Sequence, residues 1–274
     1  DSSLASNEYG TMENKIEGYD FAQTRYGNSD AQDVTVSFKF KTNKAGTYCM
    51  IHRNEAANRN YLHEFTPVAD GNWQTITYTV PGDTGGTWNK INGIGWRWEL
   101  CIGNGTAFQS STVGSWFDGQ YYHSTPNQVN FLDSTSNELG ITGVQVEVGS
   151  RATPFEHESY PQTLAKCMRY YQRLGNEKYV AVGSGVQGGT TSSRINVNML
   201  YPMRDGPTLN YSNLILTDRT VFDNDVTAYS DLQASPTGVY ANFQTTATGG
   251  ALGRGILLTV KNNTSGYLEL KAEL

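Results

Sequence analysis

Cysteine is scarce in this chain: Cys49, Cys101 and Cys167 are the three found in 274 residues. An odd, scattered set excludes a disulfide framework and the usual zinc spacings, and the expectation is three reduced, buried thiols. Charge is also sparse, with Asp, Glu, Lys and Arg making up 17% of the chain. No basic run occurs and the formal net charge is −6, which argues against a surface that binds nucleic-acid phosphates. No apolar run approaches the roughly 18 residues of a membrane span, and none resembles a signal segment, so no membrane insertion is expected. The four histidines, His52, His63, His123 and His157, form neither HExxH nor a close pair. Neither a metal nor a cofactor is expected.

What is present points to β structure. The chain has 29 glycines and 17 tyrosines, and abundant Thr, Asn and Ser suit turns and neutral polar strand faces. At 37% hydrophobic residues it can build real cores, and its length fits one large or two ordinary domains.

The most informative stretch is Ile141–Leu174, ITGVQVEVGSRATPFEHESYPQTLAKCMRYYQRL. Val144, Val146 and Val148 alternate with Gln145 and Glu147, as in a strand. Gly149 and Ser150 break that run, and Pro154 and Pro161 punctuate a linker. The period then changes. Leu164, Cys167, Met168 and Tyr171 fall at i, i+3, i+4 and i+7, which predicts a helix with Ser159 or Tyr160 at its N-cap and Gly175 past its end. Arg169 and Arg173 would suit its C-terminal dipole.

Before this stretch, Val34, Val36, Phe38 and Phe40 alternate with Thr35, Ser37, Lys39 and Lys41, one face buried and one wet. Further strands are expected at GTYCMIHR, at Trp73–Val80 and at Ile94–Ile102, where Trp96 and Trp98 would be core. With Gly/Pro turns and no helix between them, these predict a jelly-roll β-sandwich. After it, strands are expected at EKYVAVG, SRINVNMLYPM, TLNYSNLILTD, around Val221 and at VYANFQT. A last pair, Gly255–Val260 and Tyr267–Glu273, would be joined by the turn KNNTSG. The expected fold class is all-β: a jelly roll over 1–150, a linker and one short helix over 151–175, and a smaller C-terminal β domain over 176–274. The modest hydrophobic content of the last domain suggests self-association, with a homotrimer expected.

The runs IEGYDFA, DVTVSFKFKT and PGDTGGTW, and above all the central stretch, resemble bacteriophage tail-fibre proteins. In that family a carbohydrate-binding-module-like jelly roll ends in a strand of the form ITGVQLE-G, then TPFEHRSY, then a helix with a C-RYY core. This chain matches through Ile141–Glu147, Thr153–His157, Ser159–Tyr160, Cys167 and Arg169–Tyr171. It departs at Glu158, where arginine is usual, and at Pro161, where glycine is usual. The resemblance runs from about Ile16 to Leu174 and is weaker in the second β domain. It implies a virion fibre, made in the host cytoplasm, that binds a host-surface glycan or receptor and assembles with other virion proteins. The start at Asp1 rather than methionine, with a sandwich that looks one or two strands short, suggests a missing N-terminal part, and LELKAEL resembles the way such chains finish. The alternatives are a head-decoration or tail component whose jelly roll serves assembly, and a binding module from a glycan-degrading enzyme.

For glycan binding, sugar faces stack on aromatic rings flanked by Asp, Asn, Gln or Arg. Trp116, Asp118, Tyr121 and Tyr122, in the run WFDGQYYH, have that composition, and Trp88 with Asn89 is a second candidate. The competing reading has these aromatics plugging the mouth of the sandwich or packing on a neighbouring subunit. In the second domain Tyr211, Arg219, Phe222 and Tyr229 lie in segments that could form a tip.

For catalysis, Glu156 and Glu158 beside His157 are the carboxylates a glycosidase would need, against a charged connector that caps the helix. Asp223 and Asp225 read as turn residues. They could offer oxygens to Ca²⁺, but the glycine and terminal glutamate of an EF-hand are lacking. No nucleophile elbow or phosphate-cradling glycine loop is completed. No enzymatic activity is expected.

Overall fold

The computed structural model describes residues 3–120, 122–246, 248–262 and 264–274. The chain forms two compact units that divide between His157 and Glu158. Both are built of β-strands, and the protein is all-β with little helix.

The first unit holds β1 (Tyr9–Glu17), α1 (Gly18–Phe21), β2 (Val34–Thr42), β3 (Tyr48–Arg53), β4 (Arg59–Phe65), β5 (Gln74–Val80), β6 (Ile94–Asn104), β7 (Trp116–Asp118) and β8 (Leu139–Val148). These make two antiparallel sheets, ordered β1-β6-β3-β4-β7 and β5-β2-β8. Eight strands in two sheets is the jelly-roll number, divided here five and three. Alternation in β2 turns Val34, Val36, Phe38 and Phe40 inward, where they meet Tyr48, Met50, Phe65, Trp96 and Leu100 from the larger sheet. Each such side chain contributes about 1.5–3 kcal/mol on burial. The rings interlock edge to face, Phe40 lying 5.3 Å from both Tyr48 and Phe65.

β6 departs from simple alternation. Trp96, Trp98 and Leu100 face the core, yet Glu99 and Cys101 on the opposite face are buried too. There Cys49, Ile51, Leu62 and Cys101 form a second small cluster with Phe117 against it. β1 and β4 join the sheet although their sequences alternate weakly. β1 is carried by its register along β6, from Tyr9↔Asn104 to Glu17↔Ile94.

The second unit holds α2 (Tyr160–Met168), β9 (Tyr171–Gly175), β10 (Ala181–Gln187), β11 (Ser192–Val197), β12 (Thr208–Ser212), β13 (Leu214–Thr217), β14 (Asp223–Ser235), β15 (Gly238–Thr245), β16 (Gly255–Val260) and β17 (Tyr267–Lys271). Six of the strands close a barrel, β10-β11-β15-β14-β13-β16, and β12-β17-β9 form a separate sheet. One apolar cluster joins them: Ile195, Leu216, Phe243 and Leu258 from the barrel meet Leu174, Leu209, Leu268 and Leu270.

Several expectations need correction. The helix stops at Met168, and Tyr171–Gly175 is a strand paired with β17. The run YQRL satisfies both periods, and the strand period wins because it buries Gln172 and Leu174 together. Arg173 then stacks over Tyr267 at 4.1 Å and Tyr171 donates to Glu269 at 2.7 Å. Second, α2 buries none of its residues, so Cys167 is exposed while Cys49 and Cys101 are buried. Third, β16 and β17 are not partners: β16 pairs with β10 and β13, and β17 with β12 and β9. TLNYSNLILT likewise divides into two strands at Asn213, whose φ of 50° is left-handed, a conformation asparagine tolerates.

Candidate functional site

The sequence candidates form a packed end of the sandwich. Trp88 is 6% exposed, and its indole N–H donates to Asp83 and to the Gly85 carbonyl. Trp116 donates to the Pro81 carbonyl at 2.7 Å. Its ring lies 5.3 Å from Trp88, 5.4 Å from Tyr61 and 5.7 Å from Tyr26. These rings stopper the sandwich, and Trp88 has no free face for a sugar. Asn89 organises its own loop, accepting from the Ile91 and Gly93 N–H groups and donating to Glu55. Asp118 is exposed and paired at 3.1 Å with Arg59, whose guanidinium also clamps buried Asp83. Tyr122 sets its edge against Phe117 at 5.4 Å. Tyr121 lies outside the described residues.

Behind this end, the outer face of the larger sheet carries a buried polar group. Arg53 is ion-paired with Glu99, which also meets His123 Nδ1 at 3.1 Å, and His123 stacks on Tyr9 at 3.9 Å. Arginine holds the carboxylate, the carboxylate holds the imidazole, and the arrangement anchors the loop that covers the sheet.

The open polar surface lies on the smaller sheet. β2 runs between β5 and β8, and its outward residues align in rows: Thr79, Thr35 and Glu147; Thr77, Ser37 and Gln145; Thr75, Lys39 and Thr142. Between the last two rows β8 carries one extra residue. Gly143 absorbs it at φ 59°, a bulge that L side chains resist.

Past β8 the chain turns and runs back across this face. Gln145 accepts from the Glu156 N–H at 2.8 Å and donates to Thr153 Oγ1 at 3.2 Å. Glu147 accepts from Thr153 N–H at 3.0 Å and from its hydroxyl at 2.5 Å. Desolvation raises the Glu147 carboxyl, but hydrogen bonds from Thr153 and Gln145 outweigh it and hold the pKa below the ordinary glutamate value. Residues 151–157 thereby become a wall. Phe155 sits over Gly143, 45% exposed, with His157 edge-on at 4.9 Å.

Wall and sheet enclose a groove of about 440 Å³, with Ser37, Lys39, Thr75, Thr77 and Thr142 on its floor and Phe155 and His157 at its side. That volume suits a small ligand or one or two sugar rings. Beyond its end, Trp73 is 48% exposed with Lys41 5.2 Å over its ring. Hydroxyls, an ammonium and an aromatic face can bind a polyol. Sequence reading missed this surface because Thr, Ser and Lys on a strand face look like any wetted sheet. The usable signal was Phe155 in a polar connector that had to lie somewhere.

Of the other carboxylate candidates, Glu158 and Asp225 are ion-paired. Glu158 is paired with Lys166, while the helix is capped by Ser159 and Gln162. Asp223 and Asp225 begin β14 rather than forming a turn, and Asp225 is paired with Lys261 at 2.8 Å beside a pocket bordered by Tyr179. The turn chemistry belongs to Asp218, which accepts from the Thr220, Val221 and Phe222 N–H groups. The Phe222 N–H leads these in holding its carboxyl far below the usual range. Of the expected tip residues, Phe222 is buried and Tyr211 and Tyr229 pack on Phe243. Among the described residues, no group of three or more His, Cys, Asp or Glu side chains could hold a metal ion. No family model and no curated protein matches the chain.

Proposed function

We propose that this chain is part of a bacteriophage virion fibre that binds glycans of the host surface without cleaving them, and that the groove on β5-β2-β8 is its binding site. One observation carries the reading: a hydroxyl-rich sheet face is closed on one side by a hydrogen-bonded wall that presents Phe155. Sugars bind through stacking of their apolar C–H face and through paired hydroxyl hydrogen bonds, and both partners are present. A wall fixed by Gln145 and Glu147 lowers the ordering cost of binding. The resemblance of Ile141–Tyr171 to tail-fibre chains supplies the virion context.

A glycan array with the whole chain tests this. Specific binding that falls at least tenfold in Phe155→Ala and in Thr77→Ala, with melting temperature unchanged, supports it. Binding that persists in both variants and is lost in Trp116→Ala places recognition at the packed end, and turnover of any polysaccharide overturns the non-enzymatic assignment.

A role in virion assembly is the second reading, favoured by α2. That helix buries none of its residues, and Tyr160 at its start is 76% exposed. So short a helix is marginal in water without a packing partner. A homotrimer with α2 in the subunit contact meets that need and is compatible with glycan binding.

A further inference from the structure

The groove's charge is opposite to that of the molecule. The chain carries a formal net charge of −6. Yet among the described residues lining the groove the ionisable side chains are Lys39 and His157, with no carboxylate. Glu147, the one acid on β2, β5 and β8, is drawn away to Thr153, and Glu156 of the wall is not among the lining residues. Lys39 is exposed on the floor, between Thr75 and Thr142, and among the described residues no ion pair or hydrogen bond engages its ammonium. Lys41 follows two residues along the same face, roughly 7 Å farther on by strand rise, its ammonium over Trp73.

We propose that the groove selects acidic sugars, with the carboxylate of a uronate or sialate unit placed on Lys39. The inference rests on the glycan-binding reading above and adds the ligand's charge to it. An unpaired lysine on the floor of a neutral polar groove offers an anion a charge-assisted hydrogen bond without first breaking an internal ion pair. A neutral sugar in the same place offers that ammonium hydroxyl acceptors but no counter-charge. The hydroxyls of Ser37, Thr75, Thr77 and Thr142 then hold the ring hydroxyls, and Phe155 takes the apolar face. Lys41 and Trp73 extend the same chemistry to a second unit, so an oligomer binds better than its monomer.

The test uses the whole chain and a panel of uronate- and sialate-containing oligosaccharides, each titrated beside its methyl ester, which keeps the shape and removes the charge. The expected result is at least one acid bound at least tenfold more tightly than its ester. That preference should shrink as NaCl rises from about 50 to about 500 mM, and it should be lost in Lys39→Gln and in Lys39→Glu. Lys39 is exposed, so both variants should keep the wild-type melting temperature. Acid and ester bound equally, with both lost in Phe155→Ala, would overturn the charge selection and leave the glycan groove standing. Preference for the acid that survives Lys39→Gln would overturn the assignment of the carboxylate to this residue. Binding of neither form, together with an array blank for neutral glycans, would remove the groove reading and this inference with it.

Discussion

His52 stands fully buried in the sandwich core, stacked on Trp96 at 4.6 Å, with Nε2 2.9 Å from the Tyr78 hydroxyl. Burial first, and the charge of His63 second, keep its pKa well below the ordinary 6.5. The folded chain therefore leaves this ring neutral where the unfolded chain binds a proton. Stability is complete above about pH 6.5 and declines as pH falls below it, by up to about 1.4 kcal/mol per pH unit for one such group. Denaturant unfolding between pH 7 and 5 should show that slope in the first unit, and His52→Phe should flatten it. Part of the slope should remain, because burial also lowers the pKa of His63. Glu99 gives a second prediction at this scale. Its replacement by alanine leaves Arg53 buried and uncompensated, so the unit should lose about 3–5 kcal/mol in equilibrium unfolding. The inward residues of β2 could be read directly, because a half-wet strand alternates. Glu99 could not: polarity on an alternating strand signals solvent, and here a distant loop covers it.

At the scale of elements, the run after Cys167 shows why a period can mislead. Met168 and Tyr171 continue a helical stripe, while Gln172 and Leu174 continue an alternation, and nothing local decides between them. The decision comes from β17, nearly a hundred residues later in the chain. Leu174→Ala should therefore cost the second unit about 2–5 kcal/mol in thermal or denaturant unfolding, as expected for a strand residue in the shared apolar cluster. Ser159→Ala should behave differently. It removes the capping box of a helix that buries nothing, so amide exchange should quicken across α2 by the equivalent of about 1 kcal/mol. The melting temperature should barely move. The groove escaped the sequence for a related reason, since residues 151–157, held on neighbouring β8, enclose it only with β2 and β5, more than 60 residues away in the chain.

The whole molecule is acidic, rich in neutral polar strands, and exposes isolated apolar side chains such as Tyr160, Val221 and Leu252. If α2 is covered by sister chains, light scattering should give three times the chain mass. A monomeric mass at micromolar concentration would contradict the trimer while leaving the groove intact. All-β architecture was legible from composition and turns, and the chain order of most strands followed from alternation. The closed barrel was not legible, because β16 pairs with β10 and β13 across long gaps that no local pattern marks. The most direct test of glycan recognition is amide shift mapping of the whole chain with the tightest-binding oligosaccharide. Shifts should cluster at Ser37, Lys39, Thr75, Thr77, Thr142 and Phe155. Shifts confined to residues 116–122, with the groove unmoved, would contradict it.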